Sequence, residues 1–284
     1  MSSAVTYLAK NALVEFKAEQ TFASRNLLAA EDLRDGIRLL PLALTLGWLD
    51  IRLRYRGSVL GPFWLTLSTG VMVAALGYLY AGIFHTDVHD YLPFLALSMV
   101  LWAFLSTVVG EACLAFTEAE GVIRAVRMPF FLFAIRILVR NILVLAHNVV
   151  VIAVVYVVFR LWPGWHLLLA IPGLLLWSAD SLAIVLLLGG FCARFRDIPP
   201  IVASVMQIAF FVTPVIWKPE QLGSGVKLLP LNPFFDLVDV VRTPLLGGMA
   251  DANVWLGAGL YSAALIAVAW LFFTRARGRI AFWI

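Results

Sequence analysis

Ile51–Trp64 reads IRLRYRGSVLGPFW, and within it the chain passes from water into hydrocarbon. Arg52, Arg54 and Arg56 crowd its first half, and Gly61 and Pro62 then open a run with no charged residue until Asp87. Three guanidinium groups cannot follow an apolar run into the bilayer core. They stay with water and phosphate on one side, and a cytoplasmic excess of Arg and Lys is the usual outcome. This stretch therefore sets the direction in which the chain enters the membrane.

Composition agrees. Of 284 residues 62% are hydrophobic and 13% charged, against about 25% charged in an ordinary soluble domain. The apolar residues come in long blocks, so the chain reads as an all-α polytopic membrane protein. Its formal net charge of +4 follows from arginines beside those blocks, which positive-inside anchoring explains without a nucleic-acid partner. Cys113 and Cys192 fall near inner ends of spans, where a reducing compartment argues against a disulfide. No cleaved signal peptide is read at the start.

Working outward, residues 1–35 are mixed and read as a tail, with a weak helical face at Val5, Leu8, Ala12 and Phe16. Residues 36–61 hold an apolar stretch too short to span and broken by Pro41, which suits an amphipathic helix lying in the interface. Residues 62–274 carry six expected spans: Pro62–Phe84, Tyr91–Phe116, Phe130–Phe159, His166–Phe191, Ile198–Trp217 and Val254–Thr274. Between the last two, residues 229–250 are interrupted by Pro230, Pro233 and Pro244 and carry Asp236, Asp239 and Arg242, so they read as a re-entrant or outer-leaflet pair of helices. Residues 275–284 form an inner tail. Inner segments hold Arg52, Arg54, Arg56, Arg124, Arg127, Arg194, Arg196, Arg275, Arg277 and Arg279, while outer ones hold only Arg160, Lys218, Lys227 and Arg242. Six spans with both termini cytoplasmic is the consistent solution.

Charges inside spans are expensive and face protein. Arg136, Arg140 and His147 share one face of the third span, with Glu111 at a depth similar to Arg136. Asp180 lies about ten residues from the inner end of the fourth span, roughly 15 Å deep, the depth of Arg140. Glu111 and Asp180 are thus expected to neutralise Arg136 and Arg140, as a structural lock of three helices in preference to a proton or substrate relay. The ligand-type residues His85, Asp87, His89 and Asp90 sit on a short solvated loop, which does not supply a metal geometry. No phosphate-binding G-x-x-x-x-G-K-[ST] exists, since no Lys follows a Gly. No cofactor is expected, and any nucleotide that drives this protein must be bound by a separate chain. Trp64, Ser68 and Tyr78 share a face of the first span, as Phe210 and Trp217, with Phe211 beside them, mark the fifth. Such faces can stack on sugars while letting them slide, and the same spacing serves equally well as lipid-facing or packing bulk.

Five stretches in order, DIRLRYRGSVLGPFW, GVIRAVRMPFF, RFRDI, FFVTPVIW and LNPFFDLVDVVRTPLLG, resemble landmarks of the permease subunit of type-2 ATP-binding-cassette exporters for polysaccharide, the O-antigen, capsule and teichoic-acid group. The resemblance covers about residues 45–275. It implies a homodimer in the bacterial inner membrane, a channel between protomers, two copies of a separate ATPase subunit and a lipid-linked polysaccharide as cargo. It implies a coupling helix around Glu118, Val122, Ile123, Arg124 and Arg127, and a lipid-pyrophosphate site at Arg52, Arg54 and Arg56, which anionic-lipid anchoring would equally explain. Trp64, Ser68, Tyr78, Phe210, Phe211 and Trp217 would line the channel, and residues 229–250 would gate it. Two rivals remain: an exporter of drugs or small lipids on the same scaffold, and a transferase acting on polyprenyl-phosphate. The transferase needs an acid/base or metal constellation that the short inner loops do not display. A proton-driven carrier built on Glu111, Asp180 and His147 is a third.

Overall fold

The computed structural model describes residues 21–57 and 63–284. Gly61, Pro62 and the face Val5–Phe16 lie outside the described residues. Every regular element among the described residues is helical. Two helices precede the first span, α1 (Phe22–Arg38) and α2 (Leu40–Arg54), so helix begins inside the segment read as a tail. They meet at Leu39, with Pro41 in the first turn of α2 where a missing N–H costs nothing.

Among the described residues five helices are long and apolar enough to cross a membrane. They are α3 (Phe63–Ile83), α4 (Val88–Leu114), α6 (Phe130–Phe159), α7 (Ala170–Arg194) with the 3-10 turn Gly164–Leu169 leading into it, and α10 (Ala252–Trp283). Asp87 caps α4 by accepting from His89 N at 2.9 Å, so this loop carboxylate serves a helix end. α6 has the bounds read from the sequence, because Pro129 fixes its start and Arg160, in the left-handed region at φ 52°, turns the chain out of it.

Three elements differ in extent from the bounds read in the sequence. The fifth span is α8 (Ile198–Val212), with only 15 residues, which is about 22 Å of helix against a hydrocarbon core of about 30 Å. Pro214 disfavours helix at the residue before it, and Thr213 is extended, so α8 stops there. The pair of outer helices is one α-helix, α9 (Pro233–Leu245), after an irregular 3-10 segment Pro219–Leu231 that bends at Gly223. The inner tail is no separate unit: α10 runs unbroken through Arg275, Arg277 and Arg279 to Trp283. Between α4 and α6 lies the short helix α5 (Glu120–Ala125).

α4 is the central helix and packs on α3, α6, α7, α8 and α9. At the inner end Phe116, Phe130, Phe131, Phe273 and Ile280 form one buried cluster; further out Phe104, Trp177, Val238 and Val241 form another. Lipid is as apolar as the helices, so burial alone does not join them, and close approach and interhelical hydrogen bonds must. Glycines permit that approach where α1 and α2 lie on α6. A Cβ on Gly36 would stand 2.8 Å from the Phe131 Cβ, and one on Gly47 2.8 Å from a Val139 methyl.

Candidate functional site

The inner half of the protomer holds a network of five charges. Arg136 makes a two-pronged pair with Asp50 of α2, Nε to Oδ2 at 2.7 Å and Nη2 to Oδ1 at 2.5 Å. Arg140, one turn on, donates from Nε to Glu111 of α4 at 3.0 Å and reaches Asp50 at 3.4 Å. Glu111 also accepts from Asn141 at 2.7 Å and from Arg54 at 2.9 Å. Burial works against the Arg54 charge, but the bond to Glu111 and its field outweigh it and raise the Arg54 pKa. Two carboxylates thus serve three arginines and tie α2, α4 and α6 together. Buried charge at this depth persists only when paired and hydrogen-bonded in this way.

Of the four intramembrane charges, the structure brings Glu111 to Arg140, while Arg136 goes to Asp50. Asp180 meets neither arginine. Its Oδ2 accepts from Ser262 Oγ of α10 at 2.7 Å, and its Oδ1 is buried with no partner among the described residues. It stands in the wall of an apolar cavity of about 410 Å³ with Trp177, Phe234 and Tyr261. Depth alone does not say which way a helix face points: α7 turns Asp180 toward α10. His147 bonds back to Leu143 O at 2.7 Å on its own helix.

At the inner surface α5 exposes Val122 and Arg124, and Ile123 packs inward on the core. Glu118 and Arg127 flank it and are exposed. Arg124 pairs with Glu120 at 2.9 Å and also donates to the main-chain oxygen of Ile284, while Arg194 stacks over the Trp283 ring at 5.2 Å. Of the arginines before the first span, Arg54 is engaged with Glu111. Arg52 and Arg56 are exposed and without an ion-pair partner among the described residues.

The aromatic residues lie on two helices that both pack on α4 but make no substantial contact with each other. On α3, Trp64 and Tyr78 face outward, Tyr78 being 78% exposed, and Ser68 is half-buried between them. On α8, Phe211 is exposed while Phe210 packs at a tilt on Trp102, ring centroids 5.7 Å apart, beside a cleft of about 540 Å³ between α4 and α8. Trp217 folds back, its Nε1 donating to Phe211 O at 3.0 Å.

A further residue, missed in the sequence, organises the outer half. Arg242 of α9 is 1% exposed. It donates to Ser98 Oγ at 3.0 Å, to Pro214 O at 2.6 Å and to Asp239 at 2.7 Å, and lies over the Phe94 ring at 4.4 Å. It therefore pins α9 to α4 and to the frayed end of α8. The Asp239–Arg242 spacing of one helical turn was the available signal.

Compared with known proteins, residues 42–246 match a family described as ABC-2 type transporter. The chain belongs to that family. This covers α2, the charged network, α5, both aromatic helices and α9. The chain is also 24% identical, over 200 residues, to the "O-antigen export system permease protein RfbA" of Myxococcus xanthus, covering 69% of this chain and 77% of that protein. It is therefore the multi-pass membrane permease of a transporter, and ATP hydrolysis for such permeases lies in separate ATP-binding subunits.

Proposed function

We propose that this permease is one half of a homodimeric exporter that carries a lipid-linked polysaccharide across the bacterial inner membrane, driven by two copies of a separate ATPase. In this reading α8 and the turns of Thr213–Trp217 together complete a sixth crossing, and both termini face the cytoplasm. α5 with Glu118, Val122, Ile123, Arg124 and Arg127 seats in the ATPase. Arg52 and Arg56 meet the pyrophosphate of the lipid carrier, since guanidinium binds phosphate in a fork, while Arg54 holds the neighbouring network. Trp64, Ser68 and Tyr78 of α3, Phe210 and Phe211 of α8 and Trp217 just after it line the conduit, which closes only when a second protomer covers them. α9 with its 3-10 lead forms the outer gate.

The observation that carries this reading is the pair of aromatic helices left uncovered in one protomer, taken with a relative whose name is that of an O-antigen export permease. Aromatic faces hold sugars without fixing one register, so a long polymer can slide over them. The test is ATP hydrolysis by the permease co-purified with its ATPase in lipid nanodiscs. Stimulation by a polyprenyl-pyrophosphate-linked glycan and not by drug-like amphiphiles is expected. Stimulation by drugs alone, or turnover of the polyprenyl-phosphate itself, would overturn it.

A further inference from the structure

The α1 helix, read from the sequence as a tail, has a buried face of Ala29, Asp32 and Gly36. Asp32 is 2% exposed, and a carboxylate taken that far from water must be satisfied by donors. It has three. Its Oδ1 accepts from Phe131 N at 2.9 Å, and its Oδ2 from Phe130 N at 3.2 Å and from Arg277 Nε at 2.8 Å.

The first two donors are the opening amides of α6, among the groups a helix leaves unpaired at its N-terminus. Pro129 occupies the cap position and has no side-chain acceptor. Asp32 supplies that cap from 98 residues away in sequence, and its charge suits the positive end of the helix. α6 begins five residues after α5 ends, with the extended Val126–Pro129 between them. Displacing α5 therefore loads the joint that Asp32 holds. The third donor is on α10. A second bond, Trp270 Nε1 to Asn26 Oδ1 at 3.2 Å, fastens α1 to the same helix two turns earlier. Gly36, one turn after Asp32, lets the backbone of α1 lie directly on Phe131.

We propose that Asp32 is a positioning residue for energy coupling: it makes the exit of α5, the start of α6 and the inner end of α10 one rigid body, so that a push on α5 reaches the third and last spans together. This rests on the reading that an ATPase seats on α5. α1 is then a strap across the inner face, and the permease has a determinant of coupling outside every surface that would touch cargo or ATPase.

The test uses the complete permease–ATPase complex in proteoliposomes and reads cargo moved per ATP hydrolysed. Asp32→Asn keeps size and one acceptor but loses the charge that Arg277 needs. It should retain ATPase assembly and hydrolysis while cargo per ATP falls about tenfold, with Arg277→Gln falling less. An unchanged ratio in Asp32→Asn would overturn the proposal, as would a loss of transport matched by an equal loss of hydrolysis. A second measurement needs no variant. In the parent complex the Phe130 and Phe131 amides, which Asp32 accepts, should stay protected from hydrogen exchange through ATP turnover, because the two helices move as one. Loss of that protection during turnover and not at rest would mean that α1 and α6 move apart and would overturn it. If no ATPase accompanies the permease, both this inference and the functional reading fall; an ATPase present with coupling unchanged removes this one alone.

Discussion

The inner and outer halves of this permease bury charge in opposite ways. On the inner side Asp50 and Glu111 are each shared between arginines, and every member of the network has two or more partners or a two-pronged one, except Arg54 at its edge. Away from that network Arg242 is equally well satisfied, but two carboxyls are not. Asp236 is fully buried with neither oxygen bonded among the described residues, and it packs where a Cβ on Gly257 would stand 2.1 Å from its Oδ2. Asp180 has only the Ser262 hydroxyl. A network with every charge paired fixes the mutual position of helices and resists rearrangement. A lone buried carboxyl fixes little. The inner network thus locks α2, α4 and α6 together, while Asp180 and Asp236 hold their helices less firmly.

Substitutions can break or sharpen that contrast, and their expected effects descend in size. Glu111→Ala leaves Arg140 and Arg54 without their shared acceptor, and should cost about 3–5 kcal/mol, seen as loss of folded permease from membranes. Survival at parental abundance would mean that the network is not the inner lock. Arg242→Met strands Asp239, Ser98 and Pro214 O, and should cost about 2–4 kcal/mol by thermal melting in detergent, with α9 released first in hydrogen exchange. Arg136→Lys keeps the charge but loses the fork on Asp50, and should cost about 1–2 kcal/mol. Smallest is Asp180→Asn, which keeps an acceptor for Ser262 and should change the melt by less than about 1 kcal/mol. A larger loss there would mean that this carboxyl carries a charge on which the fold depends, and the contrast would fail.

The sequence was most legible where one residue type decides. Arg52–Arg56 before an unbroken apolar run, Pro129 before α6 and the recurrence of Arg136 and Arg140 on one face are local facts that survive folding. Partner choice was not local. Asp50 sat in a segment read as a surface helix, and nothing in the spacing says that α2 leans on α6 through Gly47. Asp180 was matched to Arg140 by depth, which ignores rotation about the helix axis. The break at Thr213–Pro214 was readable from proline chemistry, yet the apolar run through Trp217 outweighed it. α1 escaped because its buried face consists of Ala29, Asp32 and Gly36: its interaction is made by a carboxylate and a bare backbone, which a search for large apolar residues passes over. Arg242 escaped for the related reason that a charge near lipid reads as exposed until its partners on α4 and α8 are known.

A separate ATPase chain is the proposed source of energy for this permease. Proteoliposomes holding the permease, its ATPase and a labelled polyprenyl-pyrophosphate-linked glycan should move the label only with ATP, and Arg124→Ala should leave hydrolysis running while movement drops about tenfold. Movement of the label by the permease alone, without nucleotide, would contradict it.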